Sequence, residues 1–102
     1  MSKRMNGDEA KRILSDCRPD QCFWVHNGPA IKNLNELSTV MKSLNDEQFT
    51  HHVNKEKNDF SNWISDVIGD SLLAAELSKA KNKSAAIKKV NSRIGRLKKS
   101  AS

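Results

Sequence analysis

From residue 33 onward, apolar side chains recur at the spacing of an α-helix, in segments separated by polar capping residues. The clearest segment is 58–70, NDFSNWISDVIGD, whose apolar side chains fall at i, i+3, i+4, i+7 and i+8. Asp59 is predicted to cap this helix, and Gly69 is predicted to end it in the left-handed conformation. Amphipathic helices bury their apolar stripes by packing against each other, so most of the chain is predicted to be helical.

The flanking segments predict further helices. Asn33 and Glu36 form a predicted capping box before a helix that ends near residue 44. Residues 46–53 form the next helix, in which Phe49 lies on the buried side. After Gly69, a helix capped by Asp70 or Ser71 is expected to bury three leucines, and the last helix begins around residues 82–84. The leucines are Leu72, Leu73 and Leu77.

The first third of the chain has a different pattern. Residues 7–16 predict a short helix, and a β-prone run at 22–25 is followed by Asn27-Gly28, a strong hairpin signal. A two-stranded hairpin is marginal alone and must pack on helices. The predicted fold is mostly α, a compact bundle of four to five helices with a small N-terminal β-hairpin. We expect an N-terminal segment at 1–21, a single domain at 22–95 and a frayed basic tail at 96–102.

Two short patterns carry a resemblance to a known family. They are FxVxNG at 23–28 and NDFxxWIxxVxGD at 58–70. Together they resemble a small family of archaeal and bacterial domains of unknown function, which occur alone or appended to other domains. The similarity covers about residues 22–95. It implies an intracellular, mostly helical module, and it implies no catalytic residue.

Charge is distributed unevenly along the chain. The formal net charge is +6, yet residues 31–70 carry four basic and seven acidic side chains, whereas residues 71–102 carry nine basic and one acidic. The last helix is expected to present a row of cations opposite its apolar stripe. Such a row neutralises phosphates without reading bases, which predicts weakly sequence-specific nucleic-acid binding. The alternative is a solvated face that keeps a small protein soluble. The predicted phosphate-contact residues are Lys81, Lys83, Lys88, Lys89, Arg93, Arg96 and Lys99.

The hairpin suggests an alternative function. Trp24 alternates with Phe23 and Val25, so one of these side chains must face away from the core. If Trp24 is outside, it marks a surface for protein–protein contact together with His26. The alternative function is therefore a protein-interaction or regulatory module that uses this surface.

The cysteines and histidines are the candidate metal ligands of this sequence. Cys17 and Cys22 are followed by His26, and a histidine from residues 51–52 could complete a Cys2His2 set. Zinc motifs commonly use a two-residue gap, which is missing here, and cysteines in a reducing compartment are more often free thiols. We therefore predict no metal, and the sequence assigns no role to the cysteines.

Acid/base chemistry receives little support. His51 and His52 project about 100° apart on a helix and cannot bind one ion together. His52 is expected to hydrogen-bond at the edge of the core, near Asp59. Asp59 and Asp66 are two helical turns apart, too far for a carboxylate pair. We predict a non-enzymatic protein without a cofactor. It has no apolar run long enough for a membrane span and no signal-peptide h-region, so we expect it to be cytoplasmic and not in a membrane.

Overall fold

An asparagine or aspartate caps the N-terminus of each of the six helices that the structure describes. The computed structural model describes residues 6–102. In each helix the side-chain oxygen of the capping residue accepts the backbone N–H three residues later, which satisfies one of the free donors at the helix start. The elements in chain order are α1 (Gly7–Leu14), β1 (Phe23–Trp24), β2 (Ala30–Ile31), α2 (Leu34–Ser43), α3 (Asp46–His52), α4 (Asp59–Trp63), α5 (Ser71–Ser78) and α6 (Lys83–Ala101). The caps are Asn6, Asn33, Asn45, Asn58, Asp70 and Asn82.

The predicted fold class is confirmed, with one cap displaced by a residue. Of residues 6–102, 67% are helical, and a small antiparallel hairpin lies near the N-terminus. The cap of α4 is Asn58, whose side chain accepts from the Ser61 N–H at 3.0 Å. The prediction that Asp59 caps this helix was wrong, because Asp59 is its first residue and its carboxylate binds elsewhere.

Helix α6 is the central element of the fold. It packs against α1, α2 and α5, and Val90 and Leu97 are fully buried. Helix α1 contributes Ala10 and Ile13 to the same core. The N-terminal segment therefore shares the core of the domain. The basic tail expected to fray from residue 96 instead continues α6 as far as Ala101.

The hairpin packs through Phe23 onto α4. The Phe23 ring stacks on Phe60 with ring centroids 4.7 Å apart and meets Trp63 edge-on at 5.9 Å. The indole N–H of Trp63 donates to the Gln21 carbonyl at 2.8 Å. These contacts give the two-stranded hairpin the helical support that it needs.

Helix α4 ends in a widened π turn, Ile64–Ile68. Gly69 then adopts φ +82°, and its N–H donates to the Ile64 carbonyl at 2.7 Å. The predicted left-handed stop at Gly69 is confirmed. Because a π turn is wider than an α turn, the apolar stripe of this segment changes direction around the helix axis. Ile68 is buried as a result, and Val67 is only partly buried.

One predicted core residue lies on the surface. Leu72 is 46% exposed, while Leu73 and Leu77 are buried. Since adjacent helical residues project about 100° apart, Leu72 and Leu73 cannot both face the same core. Within residues 6–102, no helix has the length and apolar character that crossing a membrane requires.

Candidate functional site

The exposed side of α6 carries several cations. Helix α6 has no acidic residue, and five of its basic side chains are exposed. Successive residues turn by 100°, so Lys88 and Lys99 fall near the middle of the exposed arc, and Lys89 and Arg96 fall together on one flank. We call these five residues the α6 basic face: Lys88, Lys89, Arg96, Lys98 and Lys99.

Arg93 does not belong to the α6 basic face. Its residue is only 7% exposed, and its guanidinium binds the Asp70 carboxylate through Nε at 2.7 Å and Nη2 at 3.1 Å. Asp70 is 2% exposed and also accepts the N–H of Leu73 as the cap of α5. The prediction that Arg93 faces solvent to contact phosphates was therefore wrong, because its charge is neutralised inside the protein.

Two other predicted cations have partners. The ammonium group of Lys83 donates to the Leu44 carbonyl at 2.7 Å, just beyond the end of α2, and the residue is partly buried. This contact satisfies a carbonyl at the negative end of a helix, and Lys83 is not freely presented to solvent. Arg96 lies 3.4 Å from Glu76, and half of its side chain stays exposed, so it remains accessible.

The remaining predicted cations are solvent-exposed. Lys81, Lys88, Lys89 and Lys99 make no ion pair within residues 6–102. Lys98 is also exposed, although it was absent from the predicted set. Its position between Leu97 and Lys99 could have revealed it, because a residue next to a stripe position on a helix turns by about 100° toward solvent.

The hairpin presents a second surface on the far side of Phe23. Trp24 is 72% exposed, in contrast to the buried Phe23 and Val25. His26 follows two residues later, in the turn of the hairpin. The His26 ring stacks on His51 with centroids 4.0 Å apart and planes inclined by 8°. We call Trp24, His26 and His51 the hairpin face.

His52 connects the hairpin to α4. Its Nε2 accepts the backbone N–H of His26 at 3.0 Å, and its Nδ1 lies 2.9 Å from an oxygen of the Asp59 carboxylate. Because Nε2 is used as an acceptor, the partners assign the ring proton to Nδ1, which donates to Asp59. The expected contact of His52 near Asp59 is confirmed.

The pKa values of Asp59 and His51 are both lowered by their neighbours. Burial alone would raise the pKa of Asp59, but hydrogen bonds from Lys57 and His52 outweigh it and place that pKa below its usual value. For His51, loss of water around the stacked ring lowers the pKa, and the nearby His26, His52 and Lys57 lower it further. His51 therefore favours the neutral form more than a free imidazole does.

Within the described part of the chain, no group of three or more His, Cys, Asp or Glu side chains is placed to bind a metal ion. Cys17 and Cys22 are free and half-buried. Burial and the neighbouring Cys22 thiol raise the pKa of Cys17. Asp66 is exposed, so Asp59 and Asp66 do not form a carboxylate pair.

An open groove of about 1170 Å³ lies above the Asp70–Arg93 pair. It is bounded by the first turns of α1 and α5 and by the C-terminal half of α6. Leu72 supplies an apolar patch, while Glu9 and Lys99 bring opposite charges to the groove. Arg96 also borders the groove, which it therefore shares with the α6 basic face.

No family model matches this chain, and no curated protein or solved structure is significantly similar to it. The family resemblance of the two sequence patterns therefore stays a prediction. The residues that carry it have structural roles here. Phe60, Trp63 and Ile64 are buried in the core, Gly69 ends the helix, and Asp70 pairs with Arg93. These roles explain the pattern by folding alone.

Proposed function

We propose that this protein is a non-enzymatic binding module whose α6 basic face contacts the phosphate backbone of nucleic acid. The observation that supports it is the set of five exposed cations on a helix that contains no acid. Among residues 6–102, Glu76 of α5 is the one acid paired with any of them, at 3.4 Å from Arg96. A one-signed face of this kind attracts polyanions and releases their counterions on binding.

The geometry of α6 suits backbone contacts better than base readout. Lys88 and Lys99 are separated by about 16 Å along a helix that rises about 1.5 Å per residue. That span is long enough to meet several phosphates, and lysine binds them as a point charge without base specificity. The helix is also fixed in place by its buried stripe, so the cations share one rigid support. Binding is expected to be of low sequence preference.

Fluorescence anisotropy tests this proposal directly. Labelled duplex DNA, duplex RNA and single-stranded RNA of one length are titrated with the protein at several salt concentrations. If three or four phosphates are contacted, the logarithm of the affinity for B-form DNA should fall with the logarithm of salt at a slope of about −3. Absence of binding to all three probes at low salt would refute the proposal.

Two charge-matched variants distinguish binding by the α6 basic face from binding that depends only on the net charge of the protein. Lys88→Gln/Lys99→Gln removes two cations from the α6 basic face, and Lys42→Gln/Lys55→Gln removes two exposed cations elsewhere. The α6 variant should weaken binding about tenfold, and the control less than about twofold, since each phosphate contact adds to the salt-dependent term. Equal losses would show that net charge alone drives binding and that α6 is not the site.

The hairpin face favours a second candidate, a protein-interaction module. An indole that is 72% exposed beside a pair of stacked imidazoles is an unusual feature for a surface with no partner. Association through this face should persist at high salt, where phosphate binding is lost. Sedimentation velocity at high salt measures self-association. A concentration-dependent dimer that disappears in Trp24→Ala would support this candidate, and a monomer at all concentrations would contradict self-association through Trp24.

A further inference from the structure

The dipeptide Asn-Gly occurs twice in the chain, at 6–7 and at 27–28. In this dipeptide the backbone nitrogen of the glycine can attack the amide carbon of the asparagine side chain, because the glycine has no side chain to hinder it and its backbone is unusually free. The side-chain amide is then lost as ammonia, a reaction called deamidation. The second copy lies in the turn of the hairpin, and the two copies are held differently in the fold.

Both polar atoms of the peptide unit between Asn27 and Gly28 are hydrogen-bonded. The Gly28 N–H donates to the Val25 carbonyl at 3.0 Å. The Asn27 carbonyl accepts from Nε2 of Gln48 at 3.2 Å, and the same Nε2 donates to the His26 carbonyl at 3.1 Å. These bonds fix the plane of the peptide unit and engage the proton that the glycine nitrogen must lose before it attacks. The folded turn therefore opposes deamidation.

Gln48 makes these contacts from a fixed position at the start of α3. Its Oε1 accepts the Asn45 N–H at 3.1 Å, and its own backbone N–H donates to the Asn45 side chain at 2.8 Å. This capping box holds the side-chain amide while its Nε2 reaches the turn. Gln48 thus attaches the first turn of α3 to the hairpin.

The other Asn-Gly copy lies at the start of α1 and has a different environment. Asn6 caps this helix, and its side chain accepts the Glu9 N–H at 2.7 Å. Gly7 is the first helical residue, and its N–H has no acceptor among residues 6–102. The nitrogen that would attack is therefore hydrogen-bonded at Gly28 and, in this part of the chain, not at Gly7.

We propose that Asn27 is a deamidation site whose reactivity is controlled by Gln48, which holds its peptide unit in the folded protein and releases it when the hairpin turn opens. The product would be aspartate or the isomer that is linked through its side-chain carboxyl group. Because Nδ2 of Asn27 lies 3.3 Å from Nε2 of His26, the reaction adds a negative charge beside the hairpin face. This inference is independent of nucleic-acid binding, since it involves no residue of α6.

The reaction balances with water as its co-reactant. The Gly28 nitrogen loses its proton and forms a bond to the side-chain carbon of Asn27. The side-chain nitrogen then leaves as ammonia, taking up a proton that replaces the one lost from Gly28. One water hydrolyses the resulting cyclic imide at either of its carbonyl carbons, which gives aspartate or its isomer. No electrons are transferred to or from the protein.

Peptide mapping by mass spectrometry tests the proposal, with Asn6 as an internal reference. The full chain is incubated at mildly alkaline pH, either folded or in guanidinium, and digested with trypsin, which places the two asparagines on separate peptides. The mass difference between an amide and a carboxyl group reports deamidation. The ratio of the Asn6 rate to the Asn27 rate is expected to be at least about tenfold larger in the folded protein, because a protected group reacts from its open state. Equal ratios would overturn the proposal.

Two variants at the start of α3 distinguish the contacts of Gln48 with the hairpin from the stability of the helix. Gln48→Glu keeps an acceptor for the Asn45 N–H but removes the donor to the hairpin, and it should accelerate deamidation of Asn27 about tenfold. Asn45→Ala removes the cap and leaves that donor in place, so it should change the Asn27 rate much less. The Asn6 rate should stay the same in both variants. An unchanged Asn27 rate in Gln48→Glu would refute control by Gln48, and so would an equal acceleration in Asn45→Ala.

Discussion

Asp59, the first residue of α4, and Asp70, the cap of α5, bind their partners in different ways. Asp70 is almost fully buried and binds Arg93, 23 residues away, through two hydrogen bonds. Asp59 has a side chain that is 30% exposed and binds His52, seven residues away, and Lys57. Arginine stays charged at every accessible pH, whereas the charge of a histidine changes near neutrality.

The two pairs differ in how well they are shielded from solvent. The Asp70–Arg93 pair joins α5 to the middle of α6 and is shielded from solvent, so removing one partner leaves a buried charge alone. The Asp59–His52 pair lies at the edge of the core, where water can replace part of what is lost. We therefore expect the first pair to contribute more to stability than the second.

The largest effect is expected for Arg93→Ala. Loss of the guanidinium leaves Asp70 buried without its cation, and the free energy of unfolding should fall by about 3–5 kcal/mol. Arg96→Ala removes a more exposed arginine from the same helix and should cost less than about 1 kcal/mol. Urea denaturation of both variants measures the contrast. Equal losses would show that the buried pair has no special weight.

An intermediate effect is expected for His52→Ala. It leaves the His26 N–H without a partner, leaves the Asp59 carboxylate with Lys57 alone, and removes a ring that contacts Phe23 at a centroid distance of 4.8 Å. The free energy of unfolding should fall by about 2–3 kcal/mol. The adjacent His51→Ala removes an exposed ring and should change the free energy of unfolding far less than His52→Ala does.

Hydrogen exchange adds a local measurement to this comparison. The amide of His26 donates to His52, so its exchange should accelerate in His52→Ala and stay unchanged in His51→Ala. An unchanged His26 rate in His52→Ala would contradict the proposed attachment of the hairpin.

The smallest effect is a dependence on pH. The pKa of His51 lies below its ordinary value of 6.5, so the unfolded chain binds more protons than the folded one as pH falls through that value. The contribution of His51 to stability is therefore present above about pH 6.5 and decreases below it. Proton NMR titration should show His51 titrating below the ordinary value, and His26→Ala should move its pKa upward, because a neighbouring imidazole is lost. An unshifted His51 in the wild-type protein would disprove this.

Asp59 affects stability over a separate and more acidic pH range. Its pKa is below its ordinary value of 3.8, so its stabilising contribution is present above that value and is lost as pH falls through the lowered pKa. Asp59 is therefore not expected to contribute to a loss of stability between about pH 7 and pH 5.

Much of the fold could be predicted from local chemistry. Apolar spacing predicted the helices from residue 33 onward. Asn27-Gly28 predicted the hairpin, and Gly69 predicted a helix end. These features depend on neighbours in sequence, which a single chain displays directly. The choice between Asn58 and Asp59 as a cap was wrong because both side chains can cap a helix, and the contact of Asp59 with His52 is tertiary.

The candidate site was less predictable, since it depends on which side of α6 meets the core. Arg93 lies three residues after Val90 and four before Leu97, so it borders the apolar stripe, and only the presence of Asp70 decides that it is buried. Lys83 was counted as a free cation because its partner, the Leu44 carbonyl, is 39 residues away.

The π turn at Ile64–Ile68 has a consequence for insertions and deletions. Relative to a regular helix, a π turn accommodates one extra residue and changes the angular phase of everything after it. Deleting one residue there would restore an α-helical ladder and rotate Asp70 by about 100° around the axis, away from Arg93. The length of this segment is therefore constrained as tightly as the identity of either charged partner, and relatives of this chain should vary in residue type here before they vary in residue number.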